Sequence, residues 1–227
     1  MAGNKSKGYP IMMENGKDNL SERAYAAIKR MILSGELKQG QAISISAMAE
    51  SLAISRTPVT NACQKLEFER LLKIVPKQGV IISTISIKEA CGIYELRAAI
   101  ESYAAKHCMD MMTDTDITIL KRSIEKQAKA AQKGDCRAFM DEDQFFHRYI
   151  FAKNINYELL AVFNQLYDRA YMLGVINDTR TRLNESIDEH RRVVAALERR
   201  DRQGFADALE ENILNGLQSL IRQFMNR

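Results

Sequence analysis

From Ile87 to the C-terminus no stretch alternates like a strand, and apolar residues recur instead at helical spacing in segment after segment. The predicted spans are 87–109, 114–133, 135–153, 156–178, 184–200 and 202–225, with Gly134, Asp135, Asn184 and Asp201 as stop and start signals. Helices of this length, joined by short connections, bury their apolar faces by packing side by side. An antiparallel α-helical bundle is therefore the expected architecture, and the core of such a bundle is a usual place for a ligand or metal pocket.

The first third of the chain has a different texture. Residues 1–19, rich in Lys, Gly and Asn and without periodicity, read as a flexible tail. Ser21 is a good N-cap, with Leu20 before it placed to staple against Tyr25. Tyr25, Ile28 and Ile32 keep one face of the helix apolar as far as Ser34-Gly35, where glycine can take a left-handed cap. A short second helix follows over Ser46 to Ala53, with Met48, Ala49 and Leu52 turned inward.

The stretch ISRTPVTNACQKLEFERLL, from Ile54 to Leu72, puts Pro58 just ahead of an amphipathic pattern. With Ser55 as cap, Pro58 falls in the first turn, where a backbone N–H has no intrahelical acceptor and a proline sacrifices nothing. Val59, Cys63, Leu66 and Leu71 then form the buried stripe, leaving Arg56, Thr57, Thr60, Asn61 and Gln64 toward solvent. Ile74-Val75 and Val80 to Ile82, separated by Pro76-Lys77-Gln78-Gly79, read as a hairpin with a basic tip.

Charge separates the same two regions. Residues 1–85 hold 12 Lys and Arg against 7 Asp and Glu, and residues 86–227 hold 21 against 22. The basic surplus belongs to the first third, as suits a polyanion-binding domain joined to a neutral one. At 46% hydrophobic and 27% charged the chain is globular in composition. It has no run of about 18 apolar residues and no secretory signal, so a soluble, cytoplasmic protein with no membrane partner is expected. Cys63, Cys91, Cys108 and Cys136 make no C-x-x-C, which argues against a zinc ribbon or redox dithiol and for reduced, mostly buried thiols.

Three short helices and a basic hairpin form the order of a winged helix-turn-helix, whose third helix enters the major groove while the wing lies along phosphates. The exposed Arg, Thr, Asn and Gln of the third helix are of the types that read bases and hold phosphates. Arg56 and Lys77 are equally readable as ordinary solvated charges on a small helical domain. A resemblance decides between these readings. ILSGELKQGQAIS (32–44), MAESLAISRTPV (48–59), QKLEFERLLKIVPKQGVII (64–82) and YELRAAIESYAA (94–105) resemble the GntR family of bacterial transcription regulators, in the branch with the FadR-type, all-helical FCD ligand-binding domain.

The resemblance covers roughly residues 20–225. It implies a mainly α protein with a tail over 1–19, a winged DNA-binding domain over 20–85, and an effector-binding and dimerisation domain over 86–227. By position it implies DNA contacts at Ser55, Arg56 and Thr57 and, in the wing, at Lys77, Gln78 and Gly79. Where the branch usually carries Arg-Glu after SRTPV, this chain has Thr60-Asn61, both kept here as DNA candidates. The arginine that some members place near the start of the second helix is Ser46.

In DEDQFFHRYI, Asp143 and His147 are four apart and project from one helix face, while His190 lies on a later helix. From spacing alone this is either part of a metal site or a half-buried histidine with its carboxylate partner. The resemblance implies a divalent metal held by an Asp-x-x-x-His pair and two later histidines, matched by Asp143, His147 and His190. The last position, 22 residues on, is Asn212. Zinc, nickel or manganese all suit such an N/O site. The resemblance also implies a small carboxylate effector, with Arg97, Arg182 and, less directly, Asn156 as its contacts, and a homodimer on a double-stranded operator. His107, at a helix end, is set aside as a dipole partner. The rival from another class is a metal-dependent hydrolytic enzyme on Asp143, His147 and His190, with Asp141, Glu142 or Glu189 as the nearby carboxylates.

Overall fold

The computed structural model describes residues 16–153, 156–177 and 180–225, so 1–15 of the expected tail lie outside the described residues. The chain forms two compact units, one built from residues up to 32 together with 38–82, the other from 33–37 and residue 83 onward.

The first unit contains α1 (Gly16–Leu33), β1 (Ala42–Ile43), α2 (Ile45–Ser51), α3 (Arg56–Phe68), β2 (Leu72–Val75) and β3 (Gly79–Ile82). The helix start predicted at Ser21 is corrected, because α1 is already helical at Gly16 and Ser21 is interior. Once a helix is nucleated, each further residue adds a hydrogen bond, and a polar stretch such as GKDN propagates it past a serviceable cap. Tyr25 is no staple either. Its hydroxyl donates to Glu69 Oε1 at 2.7 Å, and Lys29 Nζ donates to Glu69 Oε2 at 2.9 Å. Glu69 is the C-cap of α3, so this cluster joins the middle of α1 to the far end of α3.

Ser44 caps α2 through its side chain, accepting from Ala47 N at 3.0 Å. Ser55 caps α3 by backbone position only, with Pro58 buried in the first turn. Val59, Cys63, Leu66 and Leu71 are all fully buried with Ile28 and Met48, although Leu71 lies beyond the last helical residue. The sheet is antiparallel in the order β1-β3-β2, with Val75 opposite Gly79 and Ala42 opposite Ile81. The two-residue β1 was not foreseen, being too short to show alternation. It explains Gly79, whose φ is +106° and where a Cβ would come within 2.5 Å of Ile43 O.

The second unit contains α4 (Ile87–Cys108), a 3-10 turn (Met109–Met111), α5 (Asp114–Lys133), α6 (Cys136–Ala152), α7 (Tyr157–Asn177), α8 (Arg180–Glu198) and α9 (Arg202–Met225). Ser86 with Glu89 and Thr113 with Asp116 close reciprocal capping boxes on α4 and α5. Gly134 ends α5 in the left-handed region at φ 70°, and Asp135 caps α6 through Ala138 N. The boundary predicted at Asn184 is corrected: it lies inside α8, where buried Leu183 and Ile187 carry the apolar stripe through it. α4 packs on α9, α7 and α6, α5 on α6 and α8, and α8 on α9. The protein is thus a winged helix-turn-helix followed by an α-helical bundle, and no helix among the described residues is long and apolar enough to cross a membrane.

Candidate functional site

α6 and α8 bring together the three side chains that spacing left open. Suitable atoms of Asp143, His147 and His190 lie within 4.8 Å of one another. His147 Nε2 is 4.0 Å and His190 Nε2 is 3.5 Å from Asp143 Oδ1. The far nitrogens are anchored. His147 Nδ1 is 2.7 Å from Glu101 Oε2 on α4, and His190 Nδ1 is 2.7 Å from Gln127 Oε1 on α5. A carboxylate and an amide oxygen only accept, so each Nδ1 carries a proton and each Nε2 is turned toward Asp143.

Asp143 is fixed from its other oxygen by the Tyr167 hydroxyl, which donates to Oδ2 at 2.8 Å. Burial opposes its ionisation, but His147, His190, the Tyr167 bond and Arg97 outweigh burial and hold the carboxyl below its ordinary range. Burial pushes the His190 imidazole down to about 4, so it is neutral at physiological pH, as a metal ligand must be. His190 Nε2 is buried without a hydrogen-bond partner among the described residues. Such an atom is costly unless something accepts its lone pair. Two inward imidazole nitrogens and a carboxylate oxygen, each oriented by an outer partner, fit a divalent cation.

Asn212 lines the same cavity, but its amide is committed elsewhere, Nδ2 donating to Glu189 Oε2 at 2.7 Å. Glu189 also takes a bidentate pair from Arg182, at 2.9 and 2.7 Å, and a bond from Asn215 Nδ2 at 2.9 Å. Burial opposes the charge on Glu189, yet Arg182 and the two amides keep its carboxyl below the ordinary value. Arg97 is buried beside the cluster, with Nε 2.8 Å from Glu101 Oε1 and the guanidinium 4.3 Å over the Tyr167 ring. Both arginines line the cavity, and each is matched by a buried glutamate. Asn156 does not line it. Its Oδ1 accepts from the backbone of Glu158 and Leu159 at the start of α7, which is a capping role.

Sequence reasoning missed Glu101, Gln127 and Tyr167. The available signal was polarity on a buried face: Glu101 follows Arg97 by one turn on the apolar side of α4, and Gln127 stands among Leu120, Ile124 and Ala131 on α5. The carboxylates of the enzyme reading are all occupied. Glu142 is bound to Ser123 and Lys126, Asp141 to the Tyr171 hydroxyl, and Glu189 as above.

In the first unit Ser55, Arg56 and Thr57 are exposed at the start of α3. The Ser55 hydroxyl makes no cap bond, so the first-turn N–H groups are left to meet an anion. Thr60 Oγ1 instead donates back to Arg56 O at 2.9 Å, and Asn61 Nδ2 reaches Ser21 Oγ at 3.5 Å. Lys77, at φ 64°, and Gln78 are exposed at the wing tip, whereas Gly79 is half-buried against β1. His107, in the last turn of α4, donates from Nδ1 to Tyr103 O at 2.7 Å and stacks on the Tyr103 ring.

A winged helix-turn-helix joined to a helical bundle with a polar internal cavity defines a ligand-responsive transcription regulator that binds DNA. Residues 20–82 match the bacterial regulatory proteins of the gntR family, and residues 92–215 match the FCD domain. The chain belongs to the GntR family of transcription regulators, in the branch that carries the FCD effector-binding domain. It is 25% identical over 202 residues to the HTH-type transcriptional regulator McbR of Escherichia coli, covering 87% of this chain and 90% of that protein. It is 27% identical over 181 residues to the uncharacterised HTH-type regulator YdhC of Bacillus subtilis, covering 79% and 81%. The solved structure of Escherichia coli McbR has the same fold, with a TM-score of 0.82 at 23% identity over 93% of this chain and all 100% of that one.

Proposed function

We propose that the protein acts in the cytoplasm as a homodimeric regulator, without catalytic activity, whose helical unit receives a small carboxylate at a divalent metal ion. The observation that carries this reading is the unpartnered, buried His190 Nε2 beside Asp143 and His147. Asp143, His147 and His190 would hold the ion, and Asn212 would not. When bound, a divalent ion supplies positive charge and open coordination positions for an anion.

The charges around the cavity make that supply decisive. Arg97 and Arg182 are balanced by Glu101 and Glu189, and with both histidines neutral, as metal ligands must be, Asp143 leaves one net negative charge. A carboxylate is repelled by such a lining and attracted once two positive charges are added. Arg97, bound to Glu101 through Nε, then orients the anion with its terminal N–H donors without neutralising it, while Arg182, whose fork is held by Glu189, fixes the far wall. The effector alters DNA binding only by its unequal affinity for DNA-competent and incompetent arrangements of the protein.

On the DNA side, Arg56, Thr57 and the α3 N-terminus face base edges and phosphates, and Lys77 with Gln78 follows the backbone from the wing. Thr60 and Asn61 are auxiliary, since their side chains are engaged within the unit. Metal content settles the metal part of the reading. Protein purified without chelator is expected to carry about one equivalent of metal per chain, lost in His147→Ala. Metal-free wild-type protein that takes up none on reloading would refute it.

A further inference from the structure

The cavity has a second polar wall, which neither the metal cluster nor the arginines use. Asn212, Gly216, Ser219 and Gln223 of α9 all line it, and their spacing of four, three and four residues sets them in one stripe along the helix. From Asn212 to Gln223 the stripe runs roughly 16 Å along the helix axis, much longer than a single carboxylate. Gly216 keeps its middle open. A Cβ there would come within 3.2 Å of the Tyr94 ring and 3.9 Å of Arg182 Nη2.

Beyond the glycine the polar groups are idle. Ser219 is only 9% exposed, and its hydroxyl makes no hydrogen bond among the described residues, although a helical serine commonly bonds the carbonyl one turn back. Gln223, half-buried one turn further on, makes none either. On the neighbouring α8, Ser186 accepts from Asn212 Nδ2 at 3.5 Å, but its own proton meets no acceptor among the described residues. All three groups donate and accept, and none is charged. A second carboxylate at this wall would need a cation, yet the cationic side chains of the lining, Arg97 and Arg182, are each matched by a glutamate. A bare alkyl chain would cover Ser219 and strand its hydroxyl. A ligand hydroxyl, itself both donor and acceptor, satisfies each of the three.

We propose that Ser186, Ser219 and Gln223 form a hydroxyl-reading subsite, and that the effector is a monocarboxylate bearing several hydroxyl groups along its carbon chain. The inference rests on the carboxylate reading above and narrows it to one chemical class. The carboxylate is received at the Asp143, His147 and His190 end, and the hydroxylated chain lies along the α9 stripe.

The test is isothermal titration calorimetry on the full chain loaded with zinc. The probes are acetate, hexanoate, gluconate and galactonate, of which the last three are six-carbon chains that differ in their hydroxyls. At least one of the two hydroxy acids is expected to bind about tenfold or more tightly than hexanoate, because a wall built to bond hydroxyls rejects the analogue lacking them. Ser219→Ala and Gln223→Leu should each weaken the preferred hydroxy acid about three- to tenfold while leaving hexanoate unchanged or tighter. A purely structural role for Ser219 would instead move both acids together, and hexanoate binding shows that each variant is folded. Two hydroxy acids that bind no tighter than hexanoate, or variants that keep the wild-type preference, overturn the subsite, and binding of acetate or hexanoate then leaves the carboxylate reading standing. Failure of all four acids to bind overturns both.

Discussion

Glu101 holds two donors at once, Arg97 Nε on one oxygen and His147 Nδ1 on the other, with 1% of its surface exposed. Glu101→Gln keeps the shape but leaves a single acceptor oxygen and no charge, so only one donor can be served. Stranding a buried charge by removing its partner costs about 3–5 kcal/mol. Arg97 lies over the Tyr167 ring in both proteins, so that contact cancels and a net loss of about 3–5 kcal/mol is expected. For a unit of this size that lowers Tm by about 5–15 °C. The measurement is calorimetry on chelator-treated protein, so that altered metal affinity does not enter.

The sign with pH is fixed by the direction of the shift. Burial opposes ionisation of Glu101, but Arg97 and His147 outweigh it and depress its carboxyl below the ordinary 4.5. Its stabilisation is therefore complete above that value and is lost as pH falls through the depressed folded-state value. The gap between wild type and Glu101→Gln should be constant from pH 5 to neutrality and close only in stronger acid. A variant within about 1 °C of wild type at pH 7 would refute the assignment. Arg97→Met/Glu101→Leu, which removes both charges, should recover most of the loss.

Gln127→Ala removes the acceptor that orients His190 and should weaken metal binding about 10- to 100-fold, read by competition with a chelating dye. Arg56→Ala should weaken operator binding by about 1–3 kcal/mol, and wild-type affinity should fall steeply with salt in a fluorescence titration. Gly79→Ala meets Ile43 O at 2.5 Å with φ at +106°, and should destabilise the winged unit by about 1–3 kcal/mol in urea unfolding followed at that unit.

The bundle was legible because its signals are local: a left-handed Gly134, a cap at Asp135, and long stripes of one period. Asn184 misled for the same reason, since a good boundary residue yields to a continuing apolar face. In the first unit Pro58 and the hairpin could be placed, whereas β1 exists only through its pairing with β3 across nearly forty residues. The inner members of the site were readable from an i, i+4 pair and a resemblance. Glu101, Gln127 and Tyr167 were not, because which polar residue on a buried face meets which histidine is decided by helix packing.

The register of the wing carries one more consequence. Val75 and Gly79 are the last paired residues, and Pro76, Lys77 and Gln78 project beyond them with exposed side chains that support no part of the core. Gly79, by contrast, is held against Ile43 by an approach that tolerates no side chain. Scaffold and variable surface thus meet between adjacent residues. The tip side chains can be exchanged at almost no cost to folding, while the neighbouring glycine is frozen.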